Sequence, residues 1–196
     1  GTSGEINLWQ TAMGAGAVTP EVMVAELFKG EGATTVQPVT RLYMVVLGRA
    51  PDRGGLAFWS GRRKAGVDLS VLAAQVMGSP EYSARFGSPT DAGFVDLLYR
   101  HVLDRDADPA GRAFWVDHLV AGRWNRAGVL LYFSESPENR QRTGPTVEAV
   151  VLNLGLVAAM PTAPQLDEWV AERGSGTPLD ALALGLLLDS RYFARF

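Results

Sequence analysis

Two strings in this sequence set a guanidinium three residues ahead of a carboxylate: Arg49-Ala50-Pro51-Asp52 and Arg105-Asp106-Ala107-Asp108. In a loop, such a pair presents donors and acceptors to the vicinal hydroxyls of a sugar. The same Asp, standing just ahead of a helix, is also a ready cap for the amides of residues 54–55 or 110–111, with the Arg bracing it as an ion pair. A third candidate is Trp124 in the turn Gly122-Arg123-Trp124-Asn125-Arg126. It reads either as a flat stacking surface flanked by Arg123 and Arg126, or as a hydrophobic staple folding over Val129 of a helix capped by Asn125. Arg49, Asp52, Arg105, Asp108, Arg123 and Trp124 are therefore the candidate ligand-binding residues.

Other chemistry stops short. Asp104, Asp106 and Asp108 alternate as at the opening of a calcium loop, but Pro109 and Trp115 stand where such a loop needs Gly and Glu, so no metal ligand is assigned. His101 and His118 have no acid at metal-ligand spacing, and there is no Gly-x-Ser-x-Gly, phosphate loop or His-Glu-x-x-His. Glu135 and Glu138 fall near a helix start, where they favour the dipole rather than form a glycosidase pair. The expectation is a protein that is not an enzyme, with no catalytic residue and no cofactor.

The elements that would position these residues recur. Leu47-Gly48-Arg49-Ala50-Pro51-Asp52-Arg53-Gly54-Gly55-Leu56-Ala57-Phe58-Trp59 is echoed by Leu103 to Trp115, 56 residues on, and the echo includes Tyr43 with Tyr99 and Ser79-Pro80-Glu81 with Ser136-Pro137-Glu138. A weaker copy places Trp169 54 residues after Trp115 but has Ala159 and Thr162 in place of the Arg and Asp; Trp9 precedes Trp59 by 50. Apolar residues within each copy fall at three- and four-residue spacings, as in Leu42, Val45, Val46 and Leu97, Leu98, Val102, which predicts helices. The expected fold is all-α, tandem short-helix repeats of 54–56 residues stacked in one body. The boundaries are 1–35 for the rear half of a repeat, 36–88, 89–143, and 144–196 for a degenerate copy. First helices are expected at 38–48, 91–103 and 145–159, each leading to the Arg-x-x-Asp loop. Start signals stand at Thr19-Pro20, Ser70, Asn125 and Thr177-Pro178, and a one-turn closing helix follows Ser79-Pro80 and Ser136-Pro137. Phe58, Trp59, Phe114, Trp115 and Trp169 are expected to be buried between neighbours.

The 196 residues carry 18 Lys+Arg against 21 Asp+Glu, a net charge of -3, with 47% hydrophobic and 20% charged residues. That is globular composition, and the missing basic excess speaks against a nucleic-acid partner. No cysteine is present, which removes disulfides, thiolate metal sites and thiol catalysis but leaves the compartment open. The longest apolar run, Ala181 to Leu188, is too short to span a membrane, and Gly1-Thr2-Ser3-Gly4 reads as a cloning boundary rather than a signal peptide.

The strings Leu47-Gly48-Arg49-Ala50-Pro51-Asp52, Gly55-Leu56, Trp59 and Ser79-Pro80-Glu81-Tyr82 resemble the bacterial family known as domain of unknown function 4214, whose repeats are similar to phycobilisome linker domains. The resemblance covers about residues 36–142 and, loosely, both ends. It implies helical modules of extracellular or cell-surface proteins, often attached to hydrolases, adhesins or calcium-binding repeats, with no activity common to the family. On this footing the expected function is a noncatalytic extracellular attachment module recognising a cell-envelope or other glycan for a larger surface protein. The alternative is a spacer or protein-interaction array without a small ligand.

Overall fold

Apolar residues at helical spacing, punctuated by capping residues and glycines, give helices throughout. The computed structural model describes residues 9 and 11–188, and among the described residues there is no strand. In chain order the helices are Pro20–Leu27 (α1), Gln37–Leu47 (α2), Arg53–Lys64 (α3), Leu69–Met77 (α4), Pro80–Phe86 (α5), Asp91–Leu103 (α6), Pro109–Val120 (α7), Arg126–Ser134 (α8), Pro137–Val157 (α9), Ala163–Gly174 (α10) and Leu179–Leu188 (α11). A π-helical stretch, Gly32–Val36, runs directly into α2. The chain divides into two compact units, residues 38–143 and residues 1–37 with 144–196.

In the unit 38–143, α4 packs on α8, and α6 packs on both α7 and α8. Its deepest side chains include Leu42, Val46, Leu72, Phe94, Val95 and Leu130. Full burial of each such side chain contributes roughly 1.5–3 kcal/mol. Buried Arg41 donates to both oxygens of Glu135 at 3.0 and 2.8 Å, and Glu135 also accepts from Arg140 at 2.9 Å. Arg112 makes a two-pronged pair with Asp96 at 2.7 and 2.9 Å.

In the other unit, α1 packs on α11, and Met23, Ala149, Leu152, Leu156, Trp169, Ala183 and Leu187 form the core. Gly155 lets the Leu27 side chain approach so closely that a Cβ there would stand 2.6 Å from it. Arg173 pairs with Glu148 at 2.7 and 3.3 Å.

Helix ends explain why the elements stop where they do. Gly66, Gly122 and Gly176 have φ of +86°, +64° and +97°, and each donates its N–H three residues back while the next residue donates five back, closing the helix by a left-handed turn. Gly48, Asp104 and Ala158 also have positive φ, 65°, 54° and 49°, at the turn that opens each loop ahead of the Trp-bearing helix. Asp tolerates this conformation better than Ala, whose Cβ crowds the carbonyl without a compensating hydrogen bond.

Several local expectations are corrected. Asp68, not Ser70, caps α4, accepting from the Ser70 amide at 2.7 Å. The helix starting at Pro137 does not close after one turn but runs through Pro145 to Val157. The reason is that Gly87, at φ +65°, ends α5 and Thr90 caps α6, whereas no such stop stands between Arg142 and Val147. Pro145 removes one intrahelical donor without ending the helix. The paired aromatics also divide: Trp115 and Trp169 are buried at 6% and 7% exposure and Trp59 is partly buried, but Phe58 and Phe114 are 56% and 51% exposed. Adjacent helical residues point about 100° apart, so one of each pair reaches the core and the other faces outward.

This difference is measurable. Trp115→Ala, which empties a packed aromatic site, should cost about 3–5 kcal/mol, and Phe114→Ala about 1 kcal/mol. Thermal melts followed by circular dichroism check it: Trp115→Ala should lower the midpoint several times more than Phe114→Ala.

Candidate functional site

Asp52 caps α3 and Asp108 caps α7, their Oδ1 atoms accepting from the Gly55 and Gly111 amides, each at 2.8 Å. These glycines lie beneath phenol rings: a Cβ on Gly55 would stand 2.9 Å from the Tyr43 hydroxyl, and one on Gly111 2.5 Å from that of Tyr99. Over each ring lies the loop arginine. The Arg49 guanidinium is 5.0 Å from the Tyr43 centroid and Arg105 5.0 Å from that of Tyr99. Each arginine then reaches a glutamate in the Ser-Pro-Glu segment: Arg49 Nε donates to Glu81 at 2.9 Å, and Arg105 donates to both Glu138 oxygens at 3.0 and 3.3 Å. Arg49 also donates to the Tyr43 hydroxyl at 3.1 Å and, more weakly, to Asp52 at 3.4 Å. Tyrosine, arginine, aspartate, glycine and glutamate thus form a clasp that occurs twice.

The electrostatics fit this geometry. The Gly55 amide holds the Asp52 carboxyl below the usual carboxylate range, with Arg49 adding to it. Hydrogen bonds to Glu81 and Glu138 raise Arg49 and Arg105 further above an already high value. Burial pushes both phenols up; at Tyr99 the effect is opposed by Arg105 and by the Trp115 indole N–H, which faces its hydroxyl. The two arginine–glutamate pairs are only half buried, so each contributes at most about 1 kcal/mol.

The corresponding residues near Trp169 differ. Asn153 stands where Tyr99 would, with its amide turned back onto the Ala149 carbonyl at 2.8 Å, and Thr162 is the N-cap of α10, its own N–H accepted by the Gln165 side chain at 2.9 Å.

Beside the second clasp lies an open groove of about 440 Å³ between α7 and α8, lined by Tyr99, Arg105, Phe114, Trp115, Tyr132 and Glu138 among others. Trp115 forms its buried floor, 4.8 Å from the Tyr132 centroid. Phe114 and Tyr132, 51% and 57% exposed, form the walls. Trp124, 39% exposed, stands edge-on to both Trp115 and Tyr132 at 5.7 and 6.1 Å. Its ring lies over Gly128, where a Cβ would be 3.2 Å away, one position short of the expected staple partner Val129. Asn125 caps α8 as its spacing predicts, accepting from Gly128 at 2.8 Å. Arg123 is exposed beside Trp124.

The candidates therefore separate. Arg49, Asp52, Arg105 and Asp108 are held in the two clasps, while Arg123 and Trp124 lie at the rim of the aromatic cluster. The three alternating acids have three separate tasks: Asp104 in the left-handed helix end, Asp106 against Arg100 at 3.5 Å, and Asp108 as cap. Glu135 and Glu138 are tied to Arg41 and Arg105 respectively. His118 contacts the Phe114 carbonyl through Nδ1 at 2.7 Å, and His101, set against Phe86, has its pKa lowered by burial and then by Arg85 and Arg100. Sequence spacing did not reveal Phe114 and Tyr132 as partners, because they come from different helices. The only sign was that the second copy has Tyr132 and Trp124 where the first has no aromatic residue.

The fold and these clasps define an all-helical module built on a Tyr–Arg–Asp–Glu framework. Residues 73–143 match the family described as Domain of unknown function (DUF4214), and this stretch of the chain is similar to that family. No curated protein and no solved structure matches the chain.

The capping geometry yields a direct test. Asp108→Ala should cost about 1 kcal/mol in urea unfolding, whereas Asp108→Asn should keep most of that stability, since Asn caps as well as Asp. Asp52 adds a pH signature. Its folded pKa is depressed, so its contribution is complete above the unfolded carboxylate value of about 4 and disappears as pH falls through the folded one. Asp52→Asn should therefore flatten the acid limb of a stability-versus-pH curve, and an unchanged limb would assign it to other carboxylates.

Proposed function

We propose that this chain is a noncatalytic attachment module that holds a larger extracellular or cell-surface protein on a glycan. The observation that carries the reading is the groove formed by Phe114, Trp115 and Tyr132 beside Arg105 and Glu138. Exposed aromatic faces on a rigid helical frame suit the C–H faces of a sugar, and Arg123, exposed at the rim, offers hydrogen bonds to its hydroxyls. The groove lies wholly within the family-matched stretch. The extracellular setting rests on the family resemblance alone.

Such a site binds one sugar unit weakly. Stacking and a few hydrogen bonds amount to about 4–8 kcal/mol, in the millimolar to micromolar range. Firm attachment then needs several modules on one polymer, each raising the effective concentration of the next. A second reading, docking of another protein with no glycan involved, is favoured by one observation: Phe58 and Phe114, at corresponding positions, are both exposed. Patches of exposed large apolar side chains mark protein interfaces as well as ligand grooves.

Titration of cell-wall polysaccharide fragments distinguishes them. Tyr132→Ala should weaken binding about tenfold or more while leaving the melting curve close to wild type, and Trp124→Ala should weaken it less. If folded Tyr132→Ala binds any responding glycan as tightly as wild type, the groove is not the site. If no glycan binds, the protein-docking reading takes its place.

A further inference from the structure

Tyr132 and Trp124, 57% and 39% exposed, stand at 89° to each other with ring centroids 6.1 Å apart, so the 38–143 unit presents two perpendicular aromatic faces at the rim of its groove. Each ring is backed by protein. Trp115 lies against Tyr132 at 4.8 Å, and Trp124 lies over Gly128, where the absent Cβ would meet the indole at 3.2 Å. The backbone holds this corner in place. The amides of Arg123 and Trp124 both donate to the His118 carbonyl, at 3.0 and 3.3 Å, and the next residue, Asn125, caps α8. His118 also braces the Phe114 wall, its ring 4.1 Å from that of Phe114 and its Nδ1 2.7 Å from the Phe114 carbonyl. Faces fixed in this way before binding select a ligand of matching shape rather than adapt to it. The first copy has no such corner: at the offset that relates Ser79 to Ser136, Val67 and Gln75 stand in place of Trp124 and Tyr132.

A sugar stacks on an aromatic ring through its C–H face, so the angle between two aromatic faces sets the angle between two sugar faces of one chain. In a cellulose-type chain successive units are turned over, every sugar face lies parallel to the next, and the chain is a flat ribbon. Such a ribbon lies on Tyr132 or on Trp124 but not on both. In amylose-type and laminarin-type chains each unit turns its face round the chain axis, and one chain meets two perpendicular rings. The charges nearby cancel. Arg105 and Glu138, which line the groove, are bonded to each other at 3.0 and 3.3 Å, and Asp117 and Arg123, exposed on either side of His118 in the chain, are one of each sign. Nothing in this balance calls for an ionised sugar.

We infer that the site selects a neutral, unbranched glucan chain with a helical twist, one unit lying on Tyr132 in the groove and a unit further along the same chain lying on Trp124. That the occupant is a glycan rests on the reading above; the twist rests on the perpendicular rings. Three tetramers of one sugar provide the test: maltotetraose and laminaritetraose, which twist, and cellotetraose, which is flat. Each is titrated into the whole chain, and affinity is read from the shifts of the indole N–H signals by NMR. The tighter of the two twisted tetramers should bind about tenfold more tightly than cellotetraose. Trp124→Ala should bring it down to the affinity of cellotetraose and leave that of cellotetraose where it was. Trp124→Phe, which keeps a ring at that place, should retain most of the preference, and circular dichroism checks that both variants are folded. Equal affinity for all three tetramers, a preference for cellotetraose, or a preference that survives Trp124→Ala overturns the inference while leaving a glycan site in place. No response to any tetramer overturns it as well, and the titration of wall fragments against Tyr132→Ala then decides the glycan reading separately.

Discussion

An indole buried in a small helical unit needs partners for its rings on every side, and the packing around Trp115 follows from that demand. The rings meet Phe114, Tyr132 and Phe133 at centroid distances of 4.8 to 5.6 Å, all tilted or edge-on as aromatic quadrupoles prefer. Beside them Tyr99 packs edge-on to Phe133, its ring centroid 5.1 Å away. The Tyr99 ring then supports Arg105 on its face and requires glycine at 111, because no Cβ fits beneath it. Gly111 in turn supplies the amide that Asp108 caps, and Arg105 anchors the start of α9 through Glu138. One phenol ring, Tyr99, thus ties together Arg105, Gly111, Asp108 and Glu138, and Tyr43 does the same for Arg49, Gly55, Asp52 and Glu81, which is a physical reason for those types to appear together.

Near Trp169 the same chain of dependence is cut at its first link. With Asn153 in place of tyrosine there is no ring for an arginine to lie on, and the sequence has Ala159; there is no phenol to crowd position 165, and the sequence has Gln, which caps Thr162 instead. The substitutions are coordinated rather than scattered. They leave the Trp169 indole N–H buried without a partner among the described residues, at a cost of about 1–3 kcal/mol.

The helices, their caps at Asp52, Asp108, Asn125 and Ser79, and the all-helical class were legible because each depends on residues within four positions. Asp52 and Asp108 were readable as caps because each stands just ahead of a helix, within reach of the amides of residues 54–55 and 110–111. The glutamate partners of the arginines were less accessible: Glu81 and Glu138 lie 32 and 33 residues from Arg49 and Arg105, and the sequence showed only that both recur. Phe58 and Phe114 misled for the same reason. Recurrence signals a constrained position without saying whether it faces the core, and a Phe-Trp pair on a helix cannot send both rings inward. The passage of α9 through Pro145 depends on the absence of a left-handed stop, a feature that a helix-breaking residue in the sequence obscures.

The clasps bear on recognition through what they withhold. Arg105 already makes two charge-assisted bonds to Glu138, and Asp108 is committed to an amide, so a neutral sugar hydroxyl would have to replace a stronger bond with a weaker one at either residue. The residues that look most reactive in the sequence are therefore the ones least available to a ligand, and their role is to hold α7 and the start of α9 at a fixed spacing. Phe114 and Tyr132 are in the opposite situation. Their rings are half in water, supported from behind by Trp115, and a partner covering them gives up only solvent. Rigid polar ties around a partly wetted aromatic surface keep that surface open when nothing is bound, because the side chains that could collapse over it are already engaged elsewhere.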